Sequence, residues 1–178
     1  PLDTKNLWNS KEDTYLAVAK FSYLVEIDVT DIDEAKNSSK DYLQKTLPRY
    51  EVTKTENGFH VAGSFITPSF ELSLKFLNPT NPEIEDIIQV DKTRLKSGEI
   101  KICLMHQKNF GRVMLFKTAS MASALIIYEK YSDNKTLITQ YVMSNILNVP
   151  TQSIIRYGMI QNLTDVVNGT KSAIKELY

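Results

Sequence analysis

The chain has 178 residues, 42% of them hydrophobic and 24% charged, a balance that suits one soluble globular domain with its own apolar core. Its 21 basic and 21 acidic residues give a formal net charge of zero, which excludes the basic excess typical of nucleic-acid binders. A single cysteine, Cys103, excludes an intramolecular disulfide, and the lack of about 18 consecutive apolar residues excludes a transmembrane helix.

The first 14 residues are polar and contain the only tryptophan, Trp8, which predicts an irregular arm or a short helix. The chain begins at Pro1 rather than at an initiator methionine, which fits both removal of a signal peptide and trimming. The expected compartment is therefore either the cytoplasm or an exported space.

The segment after this arm predicts a strand followed by short helices. Hydrophobic and polar side chains alternate along Phe21–Val29, which is the period of a half-buried strand. Thr30 or Asp31 is placed to cap a helix, with acidic residues in its first turn, where the helix dipole favours them. Apolar residues then recur every three or four positions as far as Leu47. Pro48 ends this segment, because proline disfavours the helical conformation of the preceding residue.

The middle of the chain predicts an antiparallel meander. Its β-rich runs are separated by short turns, and strands joined in this way pair with their neighbours. The Asn57-Gly58 dipeptide is a strong hairpin signal. The predicted strands are Tyr50–Lys54, Gly58–Ile66, Phe70–Phe76, Glu83–Arg94, Glu99–Gln107, Arg112–Ala119, Ser123–Tyr131 and Thr136–Leu147.

The end of the chain predicts one long amphipathic helix over Thr151–Leu177. Thr151 can cap it, and apolar residues recur at three-to-four spacing from Ile155 to Leu177, along roughly 40 Å of helix. Gly169 lies inside it and costs about 1 kcal/mol relative to alanine. This glycine indicates a kink, a close contact with the sheet, or simply a tolerated interior position.

Three segments carry a resemblance to a known family. The first is Tyr23–Val29 followed by Asp31–Leu47, and the second is the pair of last strands. These strands run through Asn148-Val149-Pro150 into the third segment, the helix Thr151–Leu177. This order resembles the helix-grip fold of the START-like superfamily, which includes START domains, Bet v 1 allergens and polyketide cyclases. The expected fold is therefore α+β, with a curved antiparallel sheet wrapped around the C-terminal helix in a single domain.

The resemblance implies a deep apolar cavity between the sheet and the C-terminal helix. Members of the superfamily commonly carry lipids, sterols, quinones or polyketides, and a minority catalyse reactions in the cavity. The expected partner is thus an apolar small molecule, and a transient membrane contact is compatible with such a carrier. The oligomeric state is left open.

The sequence lacks the short motifs of several common chemical sites. It contains no P-loop, no Gly-x-Gly-x-x-Gly, no His-Glu-x-x-His, no Cys-x-x-Cys and no Gly-x-Ser-x-Gly. With two histidines and one cysteine, no metal site and no cofactor are predicted. Cys103 lies in an apolar strand pattern, which favours a small buried hydrophobic side chain over a catalytic thiol.

The candidate ligand-binding residues come from the predicted strands and the terminal helix. His106 shares the parity of Ile102 and Leu104, so it is predicted either to face the cavity or to be a hydrogen-bonded histidine at the sheet rim. Tyr128 accompanies small alanines on its strand, and it and Tyr141 are either polar anchors or core residues. Methionine suits an irregular pocket as well as a core. The predicted set is His106, Tyr128, Tyr141, Met143, Ile155, Met159 and Leu163.

Three functions fit this pattern. The first is a binding or carrier protein for an apolar ligand, favoured because catalytic motifs are absent. The second is a cyclase- or dehydratase-type enzyme in which His106, Tyr128 or Tyr141 positions and protonates the substrate. The third is a protein-interaction module without a ligand, which predicts a packed interior and a large exposed apolar patch.

Overall fold

The computed structural model describes residues 15–63, 69–84, 89–110, 112–113, 116–117, 121–146 and 152–178, with side chains over 20–63, 69–84, 89–108, 124–141 and 163–178. The predicted arm, residues 1–14, lies outside the described residues. In the described part, an antiparallel sheet is packed against a long C-terminal helix, which confirms the predicted α+β class.

Seven described strands form one sheet. They are β1 (Tyr15–Val25), β2 (Glu51–Thr55), β3 (Gly58–Ala62), β4 (Ser69–Phe76), β5 (Ile100–Phe110), β8 (Met121–Ser132) and β9 (Lys135–Ile146). Their order is β1-β9-β8-β5-β4-β3-β2, and all neighbouring pairs are antiparallel. Where one strand was predicted over Arg112–Ala119, two short strands, β6 (Arg112–Val113) and β7 (Phe116–Lys117), pair with each other instead.

The described helices are α1 (Glu34–Asn37), α2 (Lys40–Thr46), α3 (Lys92–Ser97) and α4 (Gln152–Leu177). The three shorter ones begin where a side chain accepts hydrogen bonds from free backbone N–H groups. Asp33 caps α1 by accepting from the Ala35 N–H at 2.7 Å, and Ser39 caps α2 by accepting from the Tyr42 N–H. The predicted caps at Thr30 and Asp31 are therefore wrong, because these residues lie in a 3₁₀ turn, Val29–Asp31, between β1 and α1.

The predicted strand Glu83–Arg94 is wrong in its described part. Asp91 caps α3, and Gly98 ends that helix with a φ of +83°. Ile84 and Val90, described apolar residues of that segment, pack instead on the outer face of the sheet, the face away from α4. Ile84 belongs there to a second core, called here the outer cluster, and Val90 packs against it. The outer cluster comprises Leu77, Ile84, Leu95, Ile100, Ile102, Leu104, Leu125 and Ile127.

The β2–β3 hairpin is confirmed, with Thr55 paired to Gly58 across a turn at residues 56–57. Gly58 has a φ of +151°, and a Cβ there would lie 2.3 Å from the carbonyl oxygen of Leu72 on β4. Glycine is needed here because β3 and β4 approach too closely for any side chain.

The predicted terminal helix is confirmed as α4, and it packs on the inner face of the sheet and along α2. Thr170, Ala173 and Ile174 are its buried residues on the sheet side. At Gly169, a Cβ would lie 2.5 Å from the Thr46 carbonyl oxygen, which identifies the partner of this glycine as α2 and not the sheet. α2 and α4 are therefore in direct contact at this position. A space lies between these two helices and the inner face of the sheet.

Candidate ligand cavity

A cavity of about 250 Å³ lies between the inner face of the sheet, α2 and α4. Its wall is largely apolar because the inward-facing positions of the strands carry aliphatic and aromatic side chains. These side chains are Phe21, Leu43, Leu47, Phe70, Leu72, Leu74, Phe76, Met105, Ile126, Leu163 and Val166. An apolar wall of this kind contacts apolar ligands well and solvates polar ones poorly.

One end of the cavity is closed and the other is open. Tyr42 and Leu43, at the start of α2, are buried, whereas Pro48 and Arg49, just beyond its end, are exposed. At the open end, Arg49 Nε lies 3.0 Å from an Asp165 carboxylate oxygen, with 66% of the arginine side chain exposed. This exposed ion pair joins α4 to the loop after α2, and such pairs contribute little to stability.

The closed end is organised by two hydrogen-bonded tyrosines. Tyr128 on β8 accepts a hydrogen bond from Asn37 Nδ2 at 3.3 Å, and the Tyr178 hydroxyl donates to Asn37 Oδ1. Tyr23 on β1 accepts from Gln140 Nε2 at 3.3 Å and is also hydrogen-bonded to Thr170. These bonds form two separate sets beneath the cavity. One set joins α1, β8 and Tyr178, and the other joins β1, β9 and α4.

The titratable side chains described at the closed end are neutral near neutral pH. Burial raises the pKa of the Tyr42 and Tyr128 hydroxyls well above the usual value, and it raises that of Tyr23 as well. Burial also raises the pKa of the Cys103 thiol to about 12. Cys103 is buried, as predicted, and its thiol is a poor nucleophile because the thiolate is scarce.

The predicted ligand-binding residues fall into three groups. Tyr128 and Leu163 line the cavity. His106 and Tyr141 lie on the outer face, where His106 is exposed beside the β2–β3 turn and Tyr141 packs on the outer cluster. Met143, Ile155 and Met159 lie outside the described side chains.

His106 and Tyr141 were assigned to the wrong face because β5 and β8 are apolar on both faces. Residues of α3 and its flanking loops cover the outer face of these strands, so Ile102 and Leu104 are buried there rather than in the cavity. The inner face of β5 carries Cys103, Met105 and Gln107 instead. His106, Tyr128 and Tyr141 therefore share no pocket among the described residues, and of the three only Tyr128 could act on a substrate in the cavity.

Sequence reasoning missed Tyr42 and Gln140, which both line the closed end. Tyr42 was placed on an apolar helix face, but nothing marked its hydroxyl as different from a core tyrosine. Gln140 did leave a signal, since it is the polar residue between Ile138 and Val142 on one face of a predicted strand.

No helix in the described part of the chain combines the length and apolar character needed to cross a membrane. Among the described residues, no group of three or more histidine, cysteine, aspartate or glutamate side chains could hold a metal ion.

Solved structures share this fold at low sequence identity. A START superfamily protein from Mycobacterium smegmatis superposes with a TM-score of 0.53 at 7% identity, over 90% of this chain and 99% of that one. Ara h 8.0201 has a TM-score of 0.50 at 7% identity, over 90% and 99%. Norcoclaurine synthase from Thalictrum flavum, solved with dopamine and hydroxybenzaldehyde, has a TM-score of 0.51 at 11% identity, over 92% and 88%.

No protein-family model and no curated protein sequence matches this chain. The structural likeness nevertheless confirms the predicted resemblance: the chain has the helix-grip fold of START/Bet v 1-like proteins. Proteins of this fold typically bind hydrophobic ligands.

Proposed function

We propose that this chain, with its START/Bet v 1-like fold, binds an apolar small molecule such as a lipid, sterol, quinone or polyketide-like compound between the sheet and α4. The observation that carries the proposal is the apolar cavity, closed at Tyr42 and open at Arg49. A closed apolar end removes ligand surface from water, at about 25 cal/mol for each Å² buried.

The size of the cavity supports a small ligand. An engineered apolar cavity of about 150 Å³ takes up benzene, and the cavity here is about 250 Å³. A molecule of two fused rings, or an alkyl chain of comparable bulk, would match this space. Among the described residues that line the cavity, the charged ones are Arg49 and Asp165, which form an ion pair at the open end.

The proposal includes part of the set predicted from the sequence. Tyr128 and Leu163 would contact the ligand directly, since both line the cavity. Met159 and Ile155 precede Leu163 by four and eight residues in the sequence, and this spacing predicts that they share its face of the helix. They remain predicted contacts, as does Met143.

Protein purified without denaturation should carry or take up an apolar molecule. Native mass spectrometry, followed by organic extraction, would detect a carried ligand, and titration with 2-methylnaphthalene would detect uptake. Val166→Trp should weaken that uptake by at least about tenfold, because the indole would occupy space that a ligand needs.

The matched control is Asn168→Trp, since residue 168 is exposed on the same helix and does not line the cavity. It should bind 2-methylnaphthalene as the wild type does. A wild-type protein that carries no ligand and takes up no 2-methylnaphthalene would contradict the proposal.

The interaction-module hypothesis has weaker support. It predicts a large exposed apolar patch. Among the described residues, the large apolar side chains that are exposed are Leu24 and Tyr131. An apolar surface of two such side chains is ordinary for a folded domain.

A further inference from the structure

We infer that the closed end of the cavity recognises a hydroxyl group of the ligand, with Tyr42 donating a hydrogen bond to it and the Gln140 side-chain carbonyl accepting one from it. This inference rests on the proposed function and narrows it. The ligand would be an uncharged alcohol or phenol with an apolar body.

The Tyr42 hydroxyl is buried without a partner. The residue is 5% exposed. Its backbone groups are satisfied, because its N–H donates to Ser39 Oγ at 3.2 Å and its carbonyl accepts from Thr46 Oγ1 at 2.9 Å. The hydroxyl itself makes no hydrogen bond with the described residues, although buried polar groups in folded proteins nearly always do so.

This hydroxyl opens to the cavity rather than to packed protein. Among the described side chains, Ser38 Oγ is the one oxygen or nitrogen atom that is both fully enclosed by protein and without a hydrogen bond. The Tyr42 oxygen also lacks a hydrogen bond, so it is not fully enclosed. Tyr42 also lines the cavity. An unpartnered donor at the end of an apolar cavity is therefore available to whatever occupies that cavity.

Gln140 offers the complementary group. It is 8% exposed, and its Nε2 is already used as a donor to the Tyr23 hydroxyl. Its side-chain carbonyl oxygen has no hydrogen-bond partner among the described residues. Like the Tyr42 oxygen, it is not fully enclosed by protein. One side chain thus presents a donor and the other an acceptor, which is the pair that a single hydroxyl satisfies.

The surroundings favour a neutral ligand group over a charged one. Two other polar groups of this region, the hydroxyls of Tyr128 and Tyr23, already have side-chain partners. The charged lining residues, Arg49 and Asp165, lie at the open end and form an ion pair. A carboxylate or ammonium group at the closed end would be buried without a counter-charge, which is costly.

Three naphthalene probes test this inference because they differ in one substituent. Calorimetric titration at neutral pH should show that 2-naphthol binds about tenfold more tightly than 2-methylnaphthalene, since two net hydrogen bonds are gained. The charged 2-naphthoate should bind more weakly than either.

Tyr42→Phe keeps the ring and removes the hydroxyl. It should abolish most of the preference for 2-naphthol over 2-methylnaphthalene, because the donated hydrogen bond is lost. Gln140→Leu should reduce the same preference by removing the acceptor. Tyr131→Phe, at an exposed position outside the cavity, is the matched control and should keep the wild-type preference.

Each outcome separates the inference from the proposed function. If the probes bind without a preference for 2-naphthol, if Tyr42→Phe retains that preference, or if 2-naphthoate binds most tightly, the inference is wrong and the binding function stands. If none of the three probes binds, the inference is wrong, and the binding function is wrong as well unless the purified protein carries a ligand of its own. The comparison of probes on the wild type needs no variant, so it decides the question even if a variant does not fold.

Discussion

Two buried tyrosines at the closed end of the cavity differ in the hydrogen bonding of their hydroxyl groups. Tyr128 and Tyr42 are both buried and both line the cavity. The Tyr128 oxygen accepts a hydrogen bond from Asn37, whereas the Tyr42 oxygen has no partner among the described residues. The Tyr128 hydroxyl is therefore bonded within the protein, whereas the Tyr42 hydroxyl is available to bond a ligand.

Removing each hydroxyl in turn should change stability differently. Tyr128→Phe leaves Asn37 Nδ2 without an acceptor and should lower the free energy of unfolding by about 1 kcal/mol. Tyr42→Phe breaks no bond and should not lower it. Urea denaturation of ligand-free protein would measure both. An equal loss in the two variants would show that the Tyr42 hydroxyl is bonded within the protein.

Among the elements, α4 depends on one position for its packing against α2. Gly169 is buried, and a Cβ at this position would lie 2.5 Å from the carbonyl oxygen of Thr46 and 2.6 Å from that of Lys45. Side chains on either side of this contact add ion pairs, between Lys45 and Glu176 and between Arg49 and Asp165. The absence of a Cβ sets how near the two helices come, and thus the width of the cavity between them.

Gly169→Ala separates intrinsic helix propensity from packing, because the two predict opposite signs. Propensity alone would stabilise the protein by about 1 kcal/mol. The backbone contact should instead destabilise it, by about 1–3 kcal/mol, since neither carbonyl can move without shifting α2.

The control for this prediction is Asn168→Ala, at the neighbouring exposed position, which should be neutral or slightly stabilising. Thermal unfolding of the two variants would measure both effects. A higher melting temperature for Gly169→Ala would mean that α2 and α4 are not in close contact.

At the scale of the whole molecule, several described ionisable side chains are buried in the core, where burial favours their neutral forms. Burial raises the pKa values of Tyr23, Tyr42, Tyr128 and Cys103. Burial lowers the pKa of Lys101. This group loses its proton more easily in the folded protein, so its own contribution to stability rises with pH. Because more of the described groups that titrate at high pH have raised pKa values than lowered ones, the native state holds more protons than the unfolded state there, and stability should fall as pH rises.

Cys103 makes this pH dependence testable. Its pKa is about 12 in the folded protein against 9.0 for a free thiol, so its stabilisation is complete below about pH 9 and is lost as pH rises toward 12. The loss approaches about 1.4 kcal/mol per pH unit for one group. Cys103→Ala should lower stability near pH 8, and the difference from the wild type should narrow as pH rises. Urea titrations between pH 8 and 11 would measure it, and a difference independent of pH would contradict the assignment.

Much of the fold was predictable because it depends on local periodicity. The 26-residue helix α4, the strands β8 and β9, and the β2–β3 hairpin all appear near their predicted positions. The strand predicted at Glu83–Arg94 was not predictable in this way, because apolar residues that cover a sheet face and those within a strand produce similar short patterns. Asp91, a good helix cap, was the local signal of α3.

The candidate site was only partly predictable, for a physical reason. The sequence by itself determined the order of elements, the amphipathic faces and the absence of buried charge in most strands, since these follow from residue spacing. Only the tertiary structure decided which face of β5 and β8 lies inside, because alternation defines two faces without saying what covers each. Here α3 covers one face and α4 the other, so His106 and Tyr141 lie outside while Tyr128 lies inside. Tertiary structure also decided which buried hydroxyl has a partner.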